Sequence, residues 1–259
     1  MRRGEARRNR VKCEKLFYVC IWDMNSKDLC LQIRAALLDR GVSLVGFADL
    51  IEIPAEVRHS KRFAVSIAMA LDASIIANIR TGPTREYYSE YKRVNALLSD
   101  LGKLTSSLIR DQGYQAISKE PTGVGIDPKT HSTALPHKTV ATRAGLGWIG
   151  KCALLVTKEY GSAIRLTTVL TDAQLETAIP TDHSLCGDCA ICVNLCPGNA
   201  PTGKNWNVKL YRDSFFDFSA CRKAAREGAA KIGIDDTVCG ICISVCPWTL
   251  KYIEREGGT

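Results

Sequence analysis

CGDCAICVNLCP, residues 186–197, places four cysteines at intervals that suit the corners of an iron–sulfur cube. A [4Fe–4S] cube offers four irons, each needing one thiolate. Cys186, Cys189 and Cys192 stand at gaps of two residues, so a tight loop can wrap one face of a cube. Cys196 comes three residues later, just before Pro197. Proline cannot continue an interior hydrogen-bonded turn, so the chain changes direction there and Cys196 can reach a neighbouring cube.

A second run, CGICISVCP at residues 239–247, repeats the plan with Val245 where a third loop cysteine would fall. The spacing therefore predicts two interlocking sets. Cluster A takes Cys186, Cys189 and Cys192 from the first run and Cys246 from the second. Cluster B takes Cys239, Cys242 and Cys196 and lacks one ligand. Cys221 is the nearest remaining candidate, on a short helix predicted over Ser219–Lys231. Zinc bound by paired CxxC motifs and a set of disulfides are the competing readings. Zinc has no use for a three-cysteine loop followed by Cys-Pro, and thiols stay reduced in a cytosol.

The chain has 259 residues, enough for one large and one small domain, and an apolar fraction of 46% rules out wholesale disorder. No apolar run approaches the length of a membrane span, so no membrane role is expected. The net charge of +8 is uneven. Residues 1–23 carry seven of the basic side chains against Glu5, Glu14 and Asp23. Such an arm suits nucleic-acid or membrane contact, or simply a solvated tail. Leu16–Trp22 is apolar but short and has no small-residue cleavage site after it, so a cytoplasmic location is expected.

Ser26 can cap a helix over Lys27–Arg40 that Gly41 stops. Val42–Phe47, Arg62–Leu71, Tyr114–Lys119, Cys152–Thr157 and Ile164–Leu170 read as strands. Asp72–Ile79 reads as a short helix. Thr84 caps a long one to about Gln112, whose apolar stripe is core packing. Pro121–Pro136 is a loop, and Pro136–Ala144 a helix. Strands mixed with long helices, without an ordered βαβ series, predict an α+β fold. The expected division is a basic arm at 1–23, a cofactor domain at 24–172 and a cluster domain at 173–259.

Gly145-x-Gly147-x-x-Gly150 matches the dinucleotide fingerprint as a string. That site requires a strand before the glycines and a helix after them. Here the predicted order is reversed, which excludes a Rossmann site. The glycines then serve either close helix–strand packing or the approach of a flat cofactor.

ATRAGLGWIGK at 141–151, Leu154-Leu155, Tyr160-Gly161-Ser162, Leu170-Thr171-Asp172, the two cysteine runs and Cys246-Pro247-Trp248 together resemble the epoxyqueuosine reductase family, which is similar in turn to the reductive dehalogenases. The resemblance is dense from about 140 to 249. It implies a nitroreductase-like α+β domain that binds cobalamin, followed by a ferredoxin-like dicluster [4Fe–4S] module. Electrons would pass through the clusters to cobalt. It also implies that Gly145, Leu146, Gly147, Trp148, Ile149, Gly150 and Lys151 lie against the corrin.

In that family an acidic proton donor stands thirteen residues before the alanine at 144. His131 occupies that place here, and its near-neutral ordinary pKa suits it to donate a proton. His137, Asp127 and Tyr91 are weaker candidates for the same task. Cys152 directly follows the glycine loop, where it is either a cofactor neighbour or a small buried hydrophobe. Cys30 is expected in the core, and His183 near cluster A.

The expected function is an iron–sulfur oxidoreductase that reduces a small-molecule or nucleoside-type substrate with electrons from a ferredoxin or flavodoxin. Two alternatives stand beside it. One is a dicluster electron-transfer or activation protein without its own catalysis. The other is a tRNA epoxyqueuosine reductase proper.

Overall fold

The structure is a computed structural model, and it describes residues 26–122 and 125–257. The basic arm, Cys13, Cys20 and Gly123 lie outside the described residues. Helix α1 (26–38) begins at the expected serine. Four strands form one antiparallel sheet in the order β1-β2-β6-β3: β1 (Leu44–Asp49), β2 (Phe63–Ala70), β6 (Ile164–Thr171) and β3 (Ala116–Lys119). Between β3 and β6 come a short helix, α4 (His137–Arg143), and a two-stranded ribbon, β4 (Trp148–Ile149) with β5 (Leu155–Val156). The α+β expectation is borne out.

Side chains alternate across β2 and sort the sheet into two faces. Val65 and Ile67 point into one core with Leu29, Ile33 and Leu37 of α1. Val94, Leu98, Leu101 and Ile109 join them from the long helix α3 (Arg85–Asp111). Thr84 caps α3 as expected, its side chain accepting from Tyr87 N. Ala64 and Ala68 face the other way, where small residues let α4 lie close. Between β2 and α3, the expected helix over Asp72–Ile79 is shorter, α2 (Ala73–Ala77), with the Asp72 carboxylate capping its first turn.

The segment after β6 does not stand apart. It carries α5 (Ile191–Asn194), α6 (Phe218–Ala230), α7 (Ile241–Ser244) and α8 (Pro247–Arg255). Ile234, Val238, Ile243, Tyr252 and Ile253 belong to the same apolar cluster as the sheet and α3. Two contacts pin α8. The Tyr252 hydroxyl donates to Leu71 O at 2.9 Å. Gly161, with φ +56, lies so close to Thr249 that a Cβ would collide with its backbone. No helix among the described residues is long and apolar enough to cross a membrane.

Two predictions follow from this packing. Gly161→Ala combines a left-handed backbone with a backbone collision and is expected to cost about 2–3 kcal/mol. A thermal midpoint equal to that of the unaltered chain would refute the Gly161–Thr249 contact. The second concerns His137, which ties α4 to the sheet through Thr168 Oγ1 and Glu120 O, both at 2.9 Å. Burial pushes its pKa down to about 4, partly opposed by the Glu120 carbonyl. The folded chain thus refuses a proton that the unfolded chain accepts near pH 6.5. Its stability contribution is complete above about pH 6.5 and is lost as pH falls toward 4. His137→Gln is expected to flatten the midpoint-versus-pH curve in that window and nowhere else.

Candidate metal and cofactor site

Three of the cysteines stand at the starts of short helices, where backbone direction changes quickly. Cys192 lies in α5, Cys242 in α7, and Cys246 is the N-cap of α8 with Pro247 at its first position. Proline suits a first helical position, where its missing N–H costs nothing. The Cys246 sulfur receives the backbone N–H groups of Trp248 and Thr249, while burial pushes its thiol up. Gly240 opens α7 at φ +90, and a side chain there would run into Ile79. Cys221 sits in the first turn of α6, whose cap is Asp217 accepting from Ala220 N.

These elements gather the thiols into two groups. Cys186, Cys189, Cys192 and Cys246 line a cavity of about 120 Å³, together with Gly150, Lys151, Cys242 and Trp248. Cys186 and Cys192 both lie near enough to Cys246 to act on its charge. Cys196, Cys221, Cys239 and Cys242 line a far larger cavity of about 900 Å³. Cys196 and Cys239 both face Cys221, whose thiol burial pushes up to about 11. All ten cysteines among the described residues are free of disulfides. No group of three or more His, Cys, Asp or Glu among those residues is placed to hold a single metal ion. The thiols instead surround volumes.

The glycine loop is built as a helix-to-strand turn. Gly145, at φ +67, ends α4, with Gly145 N donating to Thr142 O and Leu146 N to Ala141 O. This double bond pattern satisfies the last helical carbonyls. Gly147 lets β4 approach the Val156 carbonyl, a space that a Cβ would fill. Leu146 packs on Gly46 of the sheet. Trp148 is fully buried, edge-on to Trp248 at 5.3 Å. Of the seven residues, Ile149 lines the large cavity, and Gly150 and Lys151 line the small one. Lys151 Nζ is buried and donates to Cys189 O at 2.9 Å, which ties the loop to the first cysteine run.

His131 lines the large cavity, in company with the second thiol group. Its backbone is left-handed at φ +48, and His131 N donates to Asp127 O at 2.8 Å. Its ring rests on Phe218, with centroids 5.3 Å apart, and Arg212 donates to its carbonyl. The weaker candidates are placed elsewhere. His137 lines an adjoining cavity of about 690 Å³. Asp127 is a turn former whose carboxyl is held low by the N–H groups of Thr130 and Lys129. Tyr91 stacks on Tyr88 and lies under Arg165 at 4.3 Å. His183 pairs with Asn207 in an isolated bridge and lines neither large cavity.

Lys138 went unnoticed in the sequence. It lines both large cavities, and its Nζ donates to Ala153 O at 2.6 Å. Desolvation, with Arg212 nearby, pushes its pKa down to about 8. A lysine on a seven-residue helix carries no spacing that marks it. Arg143, another lining residue, pairs with Asp182 and Glu52, yet its Nε is buried without a partner.

Residues 185–249 match the family model of a 4Fe-4S double cluster binding domain. The chain is 31% identical over 177 residues to an epoxyqueuosine reductase of Aliivibrio fischeri, covering 68% of this chain and 46% of that one. It is 28% identical over 241 residues to an epoxyqueuosine reductase of a Synechococcus strain, covering 87% and 70% respectively. The chain thus spans about half the length of the first of these relatives. Among solved structures, an epoxyqueuosine reductase with an epoxyqueuosine-modified tRNA-Tyr stem loop superposes at TM-score 0.60 and 19% identity, over 87% of this chain and 66% of that one. A reductive dehalogenase whose structure suggests B12-dependent dehalogenation superposes at 0.63 and 19%, over 84% and 31%. Both share the fold. The resemblance read from residues 141–172 and from the cysteine runs is borne out: this chain is similar to epoxyqueuosine reductases, and its residues 185–249 match a double 4Fe-4S cluster binding domain.

Proposed function

We propose that this chain is an iron–sulfur reductase that carries electrons through two [4Fe–4S] clusters into its large cavity. Cys186, Cys189, Cys192 and Cys246 would hold one cluster, and Cys196, Cys221, Cys239 and Cys242 the other. The observation that carries this reading is the second thiol group. It lines the same 900 Å³ cavity as His131, so electrons arriving there meet a proton source.

The cavity suits a corrinoid. Together with its 690 Å³ neighbour it has the size for a large macrocycle, and Lys138, which lines both, suits amide or anionic edges. When bound, a corrinoid supplies a low-potential centre for reductive bond cleavage. Ile149 would meet it directly. Gly145, Leu146, Gly147 and Trp148 would fix the turn that presents Ile149, and Gly150 and Lys151 would hold that turn to the first cluster. Residues 24–172 would form the cofactor unit and 173–259 the cluster unit.

An epoxide on a nucleoside is the substrate class that the relatives' name suggests. Its conversion to an alkene consumes two electrons and two protons and releases water. His131 would protonate the departing oxygen, and solvent would supply the second proton. A ferredoxin or flavodoxin would supply the electrons, as expected for a cytoplasmic enzyme.

Anaerobic reconstitution with iron, sulfide and cobalamin tests the whole reading. Iron and acid-labile sulfide for two clusters, with cobalt retained, is the expected result. Zinc without sulfide would refute the clusters, and clusters without cobalt would leave an electron-transfer protein. Cys221→Ala is expected to halve the iron content. An epoxyqueuosine-bearing tRNA stem loop then serves as test substrate, with His131→Ala lowering turnover about 100-fold or more while cobalt binding persists.

A further inference from the structure

Cys152 is a ninth thiol that the two ligand sets leave unused. It is buried, on the tight turn between β4 and β5, and it lines both the small cavity of the first set and the large cavity of the second. Cys192 from the first set and Cys242 from the second line that same cavity of about 120 Å³, so Cys152 stands beside a ligand of each. A Cβ built at Gly150 would lie 3.5 Å from Cys152 Sγ and 3.7 Å from Cys186 Sγ, so a third ligand is also close. The turn is held by Gly150 N donating to Leu154 O and Ala153 N to Gly150 O, both at 2.9 Å. Ala153 takes a left-handed φ of +60. Cys152 is thereby fixed between the two groups of thiols.

We propose that Cys152 couples the reduction of the two clusters by sharing one S–H hydrogen between a ligand of each. This inference rests on the cluster reading above. With clusters in place, Cys192 and Cys242 are thiolates, which accept hydrogen bonds and have none to give. Cys152 has a single hydrogen, so it serves one acceptor at a time. A hydrogen bond to a ligand sulfur draws charge from the cluster and favours its reduced form. When one electron enters a cluster, the hydrogen turns toward that cluster's ligand and leaves the other. No bond is made or broken. The second cluster then becomes harder to reduce, which keeps one electron at a time on the pair.

The test is an anaerobic redox titration of the reconstituted full chain with dithionite, followed by electron paramagnetic resonance, in three proteins. Unaltered protein is expected to show two resolved potentials. Cys152→Ala, with full iron and sulfide, is expected to shift at least one couple negative by about 59 mV, a tenfold change in a one-electron reduction equilibrium. The gap between the two couples should also narrow. Cys152→Ser keeps a donor in a similar volume and is expected to retain most of the original potentials. It also supplies the reading if the alanine variant proves unstable. Unchanged potentials in Cys152→Ala, or a serine variant whose potentials depart from the original as far as the narrowed alanine pattern, would overturn the inference. Failure of the unaltered chain to take up iron and sulfide would instead remove the cluster reading beneath it.

Discussion

The gathering of eight half-buried thiols around two volumes is the constraint on which the rest of the molecule depends. The first group takes three cysteines from the first run and Cys246 from the second; the other takes Cys239 and Cys242 from the second run, Cys196 from the first and Cys221 from α6. A buried thiol holds its proton more tightly than a free one, as the raised values of Cys221, Cys239 and Cys246 show. Metal binding must displace those protons, so cluster uptake and the final packing of this segment are linked.

That linkage makes α8 the keystone. Its first residue adjoins Cys246, its first turn meets Gly161, and its Tyr252 hydroxyl reaches Leu71 O just past the end of β2. One helix therefore carries a proposed ligand at one end and anchors in the main core at the other. Lys151, held on the Cys189 carbonyl, makes a second tie from the opposite side. The thiol groups are positioned by the sheet domain as much as by their own loops. This explains why one apolar cluster runs through both segments.

The glycine loop illustrates how a motif divides its labour. Its glycines satisfy backbone requirements: a left-handed helix end at Gly145 and a close strand approach at Gly147. Its side chains then face three different surroundings, with Trp148 in the core, Ile149 on the large cavity and Lys151 at the first cysteine run. A contiguous string in sequence thus need not be a contiguous binding surface.

The cysteine pattern was legible in the sequence because a metal cluster demands fixed ligand spacing within short loops, and short loops are local. The long helix from Thr84 and the alternating strand β2 were legible for the same reason, since capping and side-chain period act over a few residues. The ranking of His131 above Tyr91 and Asp127 came from the resemblance, whereas the cavity that His131 lines was not legible, because it depends on which distant segments pack beside it. Lys138 carries no local signal at all, and Cys152 only its place directly after the glycine loop. Their surroundings include residues far along the chain, Arg212 near Lys138 and Cys242 near Cys152, and only the folding of the cysteine segment onto the sheet put Lys138 between two cavities and Cys152 between two groups of thiols.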